Sequence, residues 1–406
     1  MKFTIYQRLV IIFLLTVFFA ASFPGQGFGG EHHVFTRLTV EEGYDSNIFW
    51  NTRNPETDWM FTFSPHLTWE NSFPLNSLRA EAGMAFIKHK KHDELNTQRE
   101  QYQLMWDTRL TPLLSGNLSG SYLKDTTFES ELEETGVVYS HTDRKRYSGG
   151  PQITWLLSER SQLSFSYQYS EVSYDKSGYV GYQTHDGSIL VSQYLHDGRA
   201  TLSWNNGYSR YDYNNQYNQS TDNFHSLLGL DYRLRELSKI SISSGIIYSE
   251  TQAAKNTILS ESMHKKERSG FGGISFLYQH SKGNVSIVYS KDISPSGSYG
   301  TITREKVSLS ADYSFLKTTT GTFRWVRIIS KSEDYLSGFQ QKHKNDHFVY
   351  SISLTHRLRK YIFLDLTYSP QISKKITSSS LSETSEEGRR DTIFLKLRID
   401  NNYKIQ

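Results

Sequence analysis

Strict two-residue alternation, over runs too long for an ordinary soluble strand, most limits what this chain can fold into. In "TDWMFTFSPHLTWE" (57–70), Trp59, Phe61, Phe63, Pro65, Leu67 and Trp69 share one face. Asp58, Met60, Thr62, Ser64, His66 and Thr68 share the other. Successive side chains of an extended strand point to opposite sides of its sheet, so this period marks a strand. The run is about twice as long as the usual strand of a globular sheet. The pattern recurs in "QYQLMWDTRL", "NFHSLLGLDYRL", "EKVSLSADYSF", "YIFLDLTYSP" and "TIFLKLRID". It predicts about eighteen strands, the first at 33–43 and the last at 390–400.

The joins alternate in length. Short ones include "TPLL" (111–114), "RELS" (235–238) and "HSKG" (280–283); long ones include 44–56, 124–146, 251–265, 331–345 and 373–389. One end of such a sheet is trimmed and the other elaborated. On the polar faces lie Arg37, Arg79, Glu81, Asp107, Arg109, Arg233, Asp312, Asp365, Lys396 and Arg398. A sandwich would bury the apolar faces against each other with shorter strands. A transmembrane barrel instead turns them to lipid, lines a watery lumen with the polar faces, and leaves no strand edge open. The expected fold is therefore all-β: an antiparallel up-and-down β-barrel with short periplasmic turns and long extracellular loops. A barrel of this size should enclose an aqueous channel, with the ten charged residues above as its lining. Mixed signs of charge suggest weak ion selectivity.

Residues 1–22 read as a signal peptide, with Lys2 and Arg8 ahead of an apolar run that ends in small residues. Residues 23–406 are then one barrel domain in the bacterial outer membrane. The 27 Tyr, 23 Phe and 7 Trp suit aromatic girdles at the two membrane interfaces. Tyr122, Tyr169, Tyr208, Tyr248, Tyr278, Tyr289 and Tyr368 are the candidates. Cysteine is absent, which removes disulfides and a lipid-modified N-terminus. The formal charge of +3 falls to about +1 without Lys2 and Arg8, so nothing favours nucleic acid as a partner.

The sequence carries no G-x-S-x-G, no H-E-x-x-H and no P-loop. The expectation is a non-enzyme with no catalytic residues, no cofactor and no metal. The histidine-rich "KHKKHDE" (88–94) lacks the spacing of a metal site and reads as a solvated loop. The span 124–146 carries Asp125, Glu129, Glu131, Glu133, Glu134 and Asp143 against Arg144, Lys145 and Arg146. It is the best candidate for a loop that folds into the pore, the alternative being a solvated extracellular loop.

The segment "EEGYDSNIFW" (41–50) ends the first strand. If alternation continues past Val40, Tyr44 and Ile48 face outward, and Asp45 and Asn47 face the lumen or loop. Asp45-Ser46-Asn47 has the composition of a turn or a hydrogen-bonded strand extension. As a calcium loop it fails, because Phe49 and Trp50 stand where further ligand and glycine positions belong.

Gly43, Tyr44, Asp45, Ser46, Asn47, Ile48 and Phe49 form a G-Y-D-S-N-I-F motif. With the leader and the Tyr-rich barrel, it resembles the β-barrel porin family associated with exopolysaccharide and capsule gene clusters. The resemblance implies an outer-membrane barrel and, for some members, passage of secreted polysaccharide out of a Gram-negative cell. It brings no catalytic residues. The chain departs from the common pattern by ending "RIDNNYKIQ" rather than on an aromatic residue. The leading expectation is an outer-membrane channel for passage of secreted polysaccharide; the alternatives are a general diffusion porin for small hydrophilic solutes and a structural or adhesive barrel with ligand-binding loops. The expected partners are outer-membrane lipid and lipopolysaccharide, the barrel assembly machinery and polysaccharide export proteins.

Overall fold

A computed structural model describes residues 31–405 apart from 137–139, 177, 196–197, 216–217, 254–262, 299, 335–340 and 379–382. The expected signal segment, residues 1–22, lies outside the described residues. Eighteen antiparallel strands follow in chain order, each paired with the next. The last, β18 (Glu383–Ile405), pairs with the first, β1 (Glu31–Asp45), from His32↔Ile405 to Asp45↔Thr392. That pairing closes the sheet into a barrel and satisfies the edges a membrane would otherwise leave without partners. The expected fold is borne out.

Alternation sets the two faces. On β2 (Asp58–Ser72), Trp59, Phe61 and Phe63 are exposed on the outer wall, whereas Asp58 and Thr62 are buried inside. The same holds on β18, where Ile393, Leu395, Leu397 and Ile399 face out while Lys396 and Arg398 make ion pairs inside. Aromatic rings line up across neighbouring strands near the loop end. Tyr44 meets Trp59 at 5.3 Å, Tyr102 stacks on Tyr122 at 5.8 Å, and Tyr122 meets Tyr147 at 4.8 Å in a tilted contact. Exposed Tyr278, Tyr313, Tyr361 and Tyr403 mark the opposite end.

The strands run longer than the alternation suggests, from 13 residues in β4 (Thr97–Arg109) to 23 in β18. Much of the expected loops 331–345 and 373–389 is strand. Between β16 (Gln341–Arg359) and β17 (Ile362–Ser378) the pairing reaches Lys342↔Ser378. Between β17 and β18 it reaches Ser378↔Glu383. Above the bilayer the outer face has no lipid to meet, so apolar alternation stops, but the backbone ladder still pays to continue.

Candidate functional site

The ten charged residues expected to line the lumen all fall on the inner face of the wall. Arg37, on β1, donates to Asp400 at 2.8 Å. Arg79, on β3 (Asn76–His89), pairs with Glu70 at 3.0 Å and with Glu81 at 2.5 Å. Arg398 sits 3.7 Å from Asp365 and 3.3 Å from Asp400, and Lys396 lies 2.8 Å from Glu41. Asp107 accepts from Asn117 at 2.7 Å and borders a cavity with Arg109. Asp312 accepts from Thr322 at 2.7 Å. Arg233 shares the inner face of β10 (Ser220–Arg235) with Asp231, which pairs with Lys239 at 3.1 Å.

At the loop end the lumen is filled. The chain leaves β5 (Leu114–Thr126), folds inward as a loop with a one-turn helix α1 (Glu131–Thr135), and returns as β6 (Asp143–Ser158). Its contacts lie half the ring away. Glu131 accepts from Ser296 at 3.0 Å and from the Gly297 amide at 3.2 Å, both where β13 (Gly283–Ser296) ends. The Glu134 carbonyl accepts from Arg304 at 2.6 Å, on β14 (Gly300–Leu316). The Thr135 carbonyl accepts from Ser330, on β15 (Thr319–Asp334). Gly136 ends the helix in the left-handed region, φ 70°, against Ile328 and His347; a Cβ there would crowd both. Of the two readings of 124–146, the inward one holds.

Arg144 is the centre of this brace and is wholly buried. It reaches Asp125 at 3.2 Å, Glu131 at 3.4 Å and Glu134 at 2.9 Å. Burial raises the Glu131 carboxyl above its ordinary range, against the pull of Arg144. Burial acts on Glu134 too, but donation from Arg144 and the charges of Arg146 and Arg304 outweigh it and leave Glu134 lowered. Burial lowers His141, further along the loop, to about 4.

Beside the brace a tyrosine cluster links strands up to five apart in the ring. Val172, Tyr182, Tyr211 and Tyr213 are buried together, with Tyr174 and Val180 against them. Tyr213, on β9 (Ala200–Tyr213), bonds Thr301 at 3.0 Å, and Thr301 bonds Thr221 of β10 at 3.1 Å. These residues were not singled out from the sequence. Their signal was parity: Tyr211 and Tyr213 continue the inner-face series of Thr201, Ser203 and Asn205.

The G-Y-D-S-N-I-F motif is a clasp at the barrel seam. Gly43 leaves room for the Phe394 ring, which a Cβ would meet at 2.5 Å. Asp45 is fully buried; it accepts from Arg390 at 2.8 and 2.5 Å and from the Asn47 amide at 2.9 Å. The Asn47 side chain donates to the Arg389 and Asn51 carbonyls and accepts from the Asn51 amide. Ser46 accepts from the Asp391 amide at 2.8 Å. Tyr44 faces outward as expected, but Ile48 does not: it is buried at 3 % exposure beneath the loops. The strand ends at Asp45, so alternation no longer governs Ile48. Phe49 meets His92 at 5.0 Å, and Trp50, at φ 56°, meets His347 at 5.7 Å. The "KHKKHDE" loop is held by Asp58, which accepts from the Lys91 and His92 amides at 3.0 and 3.2 Å. Among the described residues no group of three or more metal-ligating side chains gathers.

Beneath the loops on the seam side lies a chamber of about 390 Å³. Phe128, Glu129, Leu132 and His141 of the inward loop face Glu41, Thr62, Arg99, Gln371, Arg390 and Phe394 of the wall, with Ile48 and Leu95 also at its border. The Gln371 Oε1 atom is buried without a hydrogen-bond partner among the described residues.

No known family matches the sequence, and no curated protein does. Solved structures do match in shape. The ferric-catecholate import receptor Fiu of E. coli K12, in its open form, aligns over 91 % of this chain and 81 % of its own, with a TM-score of 0.50 and 8 % identity. OccK2 (OpdF) of Pseudomonas aeruginosa aligns over 93 % of this chain and 99 % of its own, with a TM-score of 0.48 and 10 % identity. These likenesses concern the fold. The closed eighteen-strand barrel with its apolar, lipid-facing outer wall is that of a bacterial outer-membrane protein.

Proposed function

We propose that the protein is a constricted outer-membrane channel for small hydrophilic solutes. One observation carries the reading: an ion-paired polar inner wall leads from the periplasmic end to a chamber beneath the inward 127–142 loop. Ion pairs of both signs keep the wall wet without favouring one charge, as a weakly selective pore needs. The narrow chamber suits small solutes better than a polymer. Purified protein in a planar bilayer should give an ohmic conductance that scales with salt. No conductance, with or without the 127–142 loop, would sink the reading. The likeness of the Fiu barrel supports the fold this needs.

A second reading is passage of secreted polysaccharide, supported by the G-Y-D-S-N-I-F resemblance. It requires the inward loop to swing away, because Glu131 and the Glu134 and Thr135 carbonyls tie it to the far wall across the lumen. Deleting the gene should then abolish surface polysaccharide while synthesis continues inside the cell. Undiminished surface polysaccharide would end that reading and leave the first intact.

A further inference from the structure

Three cavities on the β1–β4 side of the lumen share lining residues and form one route. The lowest, about 470 Å³, is bounded by Arg37, His66 and Asp400. Arg37 and His66 also bound the next, about 390 Å³, which reaches up to Gln101. Arg99 and Glu129 bound both that cavity and the chamber beneath the loop. The two are ion-paired, so they form the partition between mid-lumen and chamber. Arg99 comes from the wall strand β4 and Glu129 from the inward loop. The Arg99 Nε atom is buried without a hydrogen-bond partner among the described residues. Across the lumen, the Tyr213–Thr301–Thr221 contacts and the tyrosine cluster fill the space at the loop end.

We propose that Arg99 and Glu129 are the selectivity point of this route and that it passes small zwitterions best. The inference rests on the channel reading above and names its solute class. Parting the pair takes from each partly buried charge its nearest counter-charge, with only the more distant Glu41 and Asp125 left near Arg99, which is unfavourable. A neutral solute replaces neither partner. A monoanion answers Arg99 but sets its charge against Glu129, and a monocation does the reverse. A molecule with both groups offers its carboxylate to Arg99, whose unpartnered Nε–H adds a donor, and its ammonium to Glu129. The partition is then exchanged rather than broken, and discrimination arises from the charges that other solutes leave unanswered.

Osmotic swelling of proteoliposomes holding the full barrel tests this with glutamine, uncharged xylitol and sodium gluconate, compounds of similar size. Glutamine should enter several-fold faster than either. Arg99→Ala with Glu129→Ala should speed xylitol and erase the preference. The reversed pair, Arg99→Glu with Glu129→Arg, should keep it. A preference for glutamine that survives the double alanine variant overturns the assignment, as does equal entry of all three solutes into wild-type vesicles. Swelling in none of them, from protein whose circular dichroism shows an intact barrel, removes the channel reading and this inference with it.

Discussion

At the periplasmic end the inner-wall charges pair with near neighbours, Arg37 with Asp400 and Arg79 with Glu70, and stay partly open to the lumen. At the loop end Arg144 is wholly buried among Asp125, Glu131 and Glu134, and the loop that carries two of them is fastened to the far wall. The residue types are the same. Water makes the difference: exposed pairs exchange hydration for little net gain, whereas a buried cluster must satisfy every charge or come apart. The first arrangement furnishes a passage and the second a brace across it.

The largest test of this contrast replaces residues 127–142 by a short Gly-Ser linker. Single-channel conductance should rise several-fold, because the brace is lost while the wall pairs remain. A conductance equal to wild type would mean that the loop does not limit the pore. Next, Arg144→Ala leaves Asp125 and Glu131 buried without their counter-charge, Glu134 keeping Arg146, and should destabilise the docked loop by about 3–5 kcal/mol. Faster protease cleavage within 127–142 would report this, with the barrel itself still resistant. At the seam, Asn47→Ala removes a buried side chain that makes three part-buried hydrogen bonds to the backbone of Asn51 and Arg389. It should lower thermal stability in detergent by about 1–3 kcal/mol, and a smaller loss would show that the clasp is incidental to closure.

Acid should act on the docked loop. His141 is held neutral when docked, with its pKa lowered from 6.5 to about 4, so an undocked loop takes up a proton first as pH falls. Docking is therefore fully favoured above pH 6.5 and weakens down to about 4. Glu134, lowered when docked, loses its contribution below the ordinary carboxylate range, in the same direction. Glu131, raised by burial, opposes them. Protease access to the loop should increase between pH 7 and about 4.5, and His141→Gln should flatten that rise. An unchanged profile in the variant would exclude His141 as the source. Smallest of all, Arg37→Ala should cost no more than about 1 kcal/mol. Its effect should appear as a modest shift in the reversal potential under a salt gradient.

Much of the wall was legible before any fold was built. Trp59, Phe61 and Phe63 against Asp58 and Thr62 state which way each side chain points, and the same reading placed Arg37, Asp365 and Arg398 inside. Parity also contained the tyrosine cluster, since Tyr211 and Tyr213 sit on the polar side of β9, but aromatic residues were expected at the lipid interface. The pairing of Arg99 with Glu129 and of Asp45 with Arg390 was not legible. Those partners lie 30 and 345 residues apart, and only ring closure and loop direction bring them together.

By itself the sequence determined the strand count, the two faces and the membrane, because period two and backbone hydrogen bonding are local and leave few ways to satisfy them in lipid. Only the tertiary structure decided that the 127–142 loop turns inward, that the D-S-N segment clasps the seam, and where the lumen narrows. Each of these depends on desolvated charges finding partners across the ring, and such partners are neighbours in space but not in the chain.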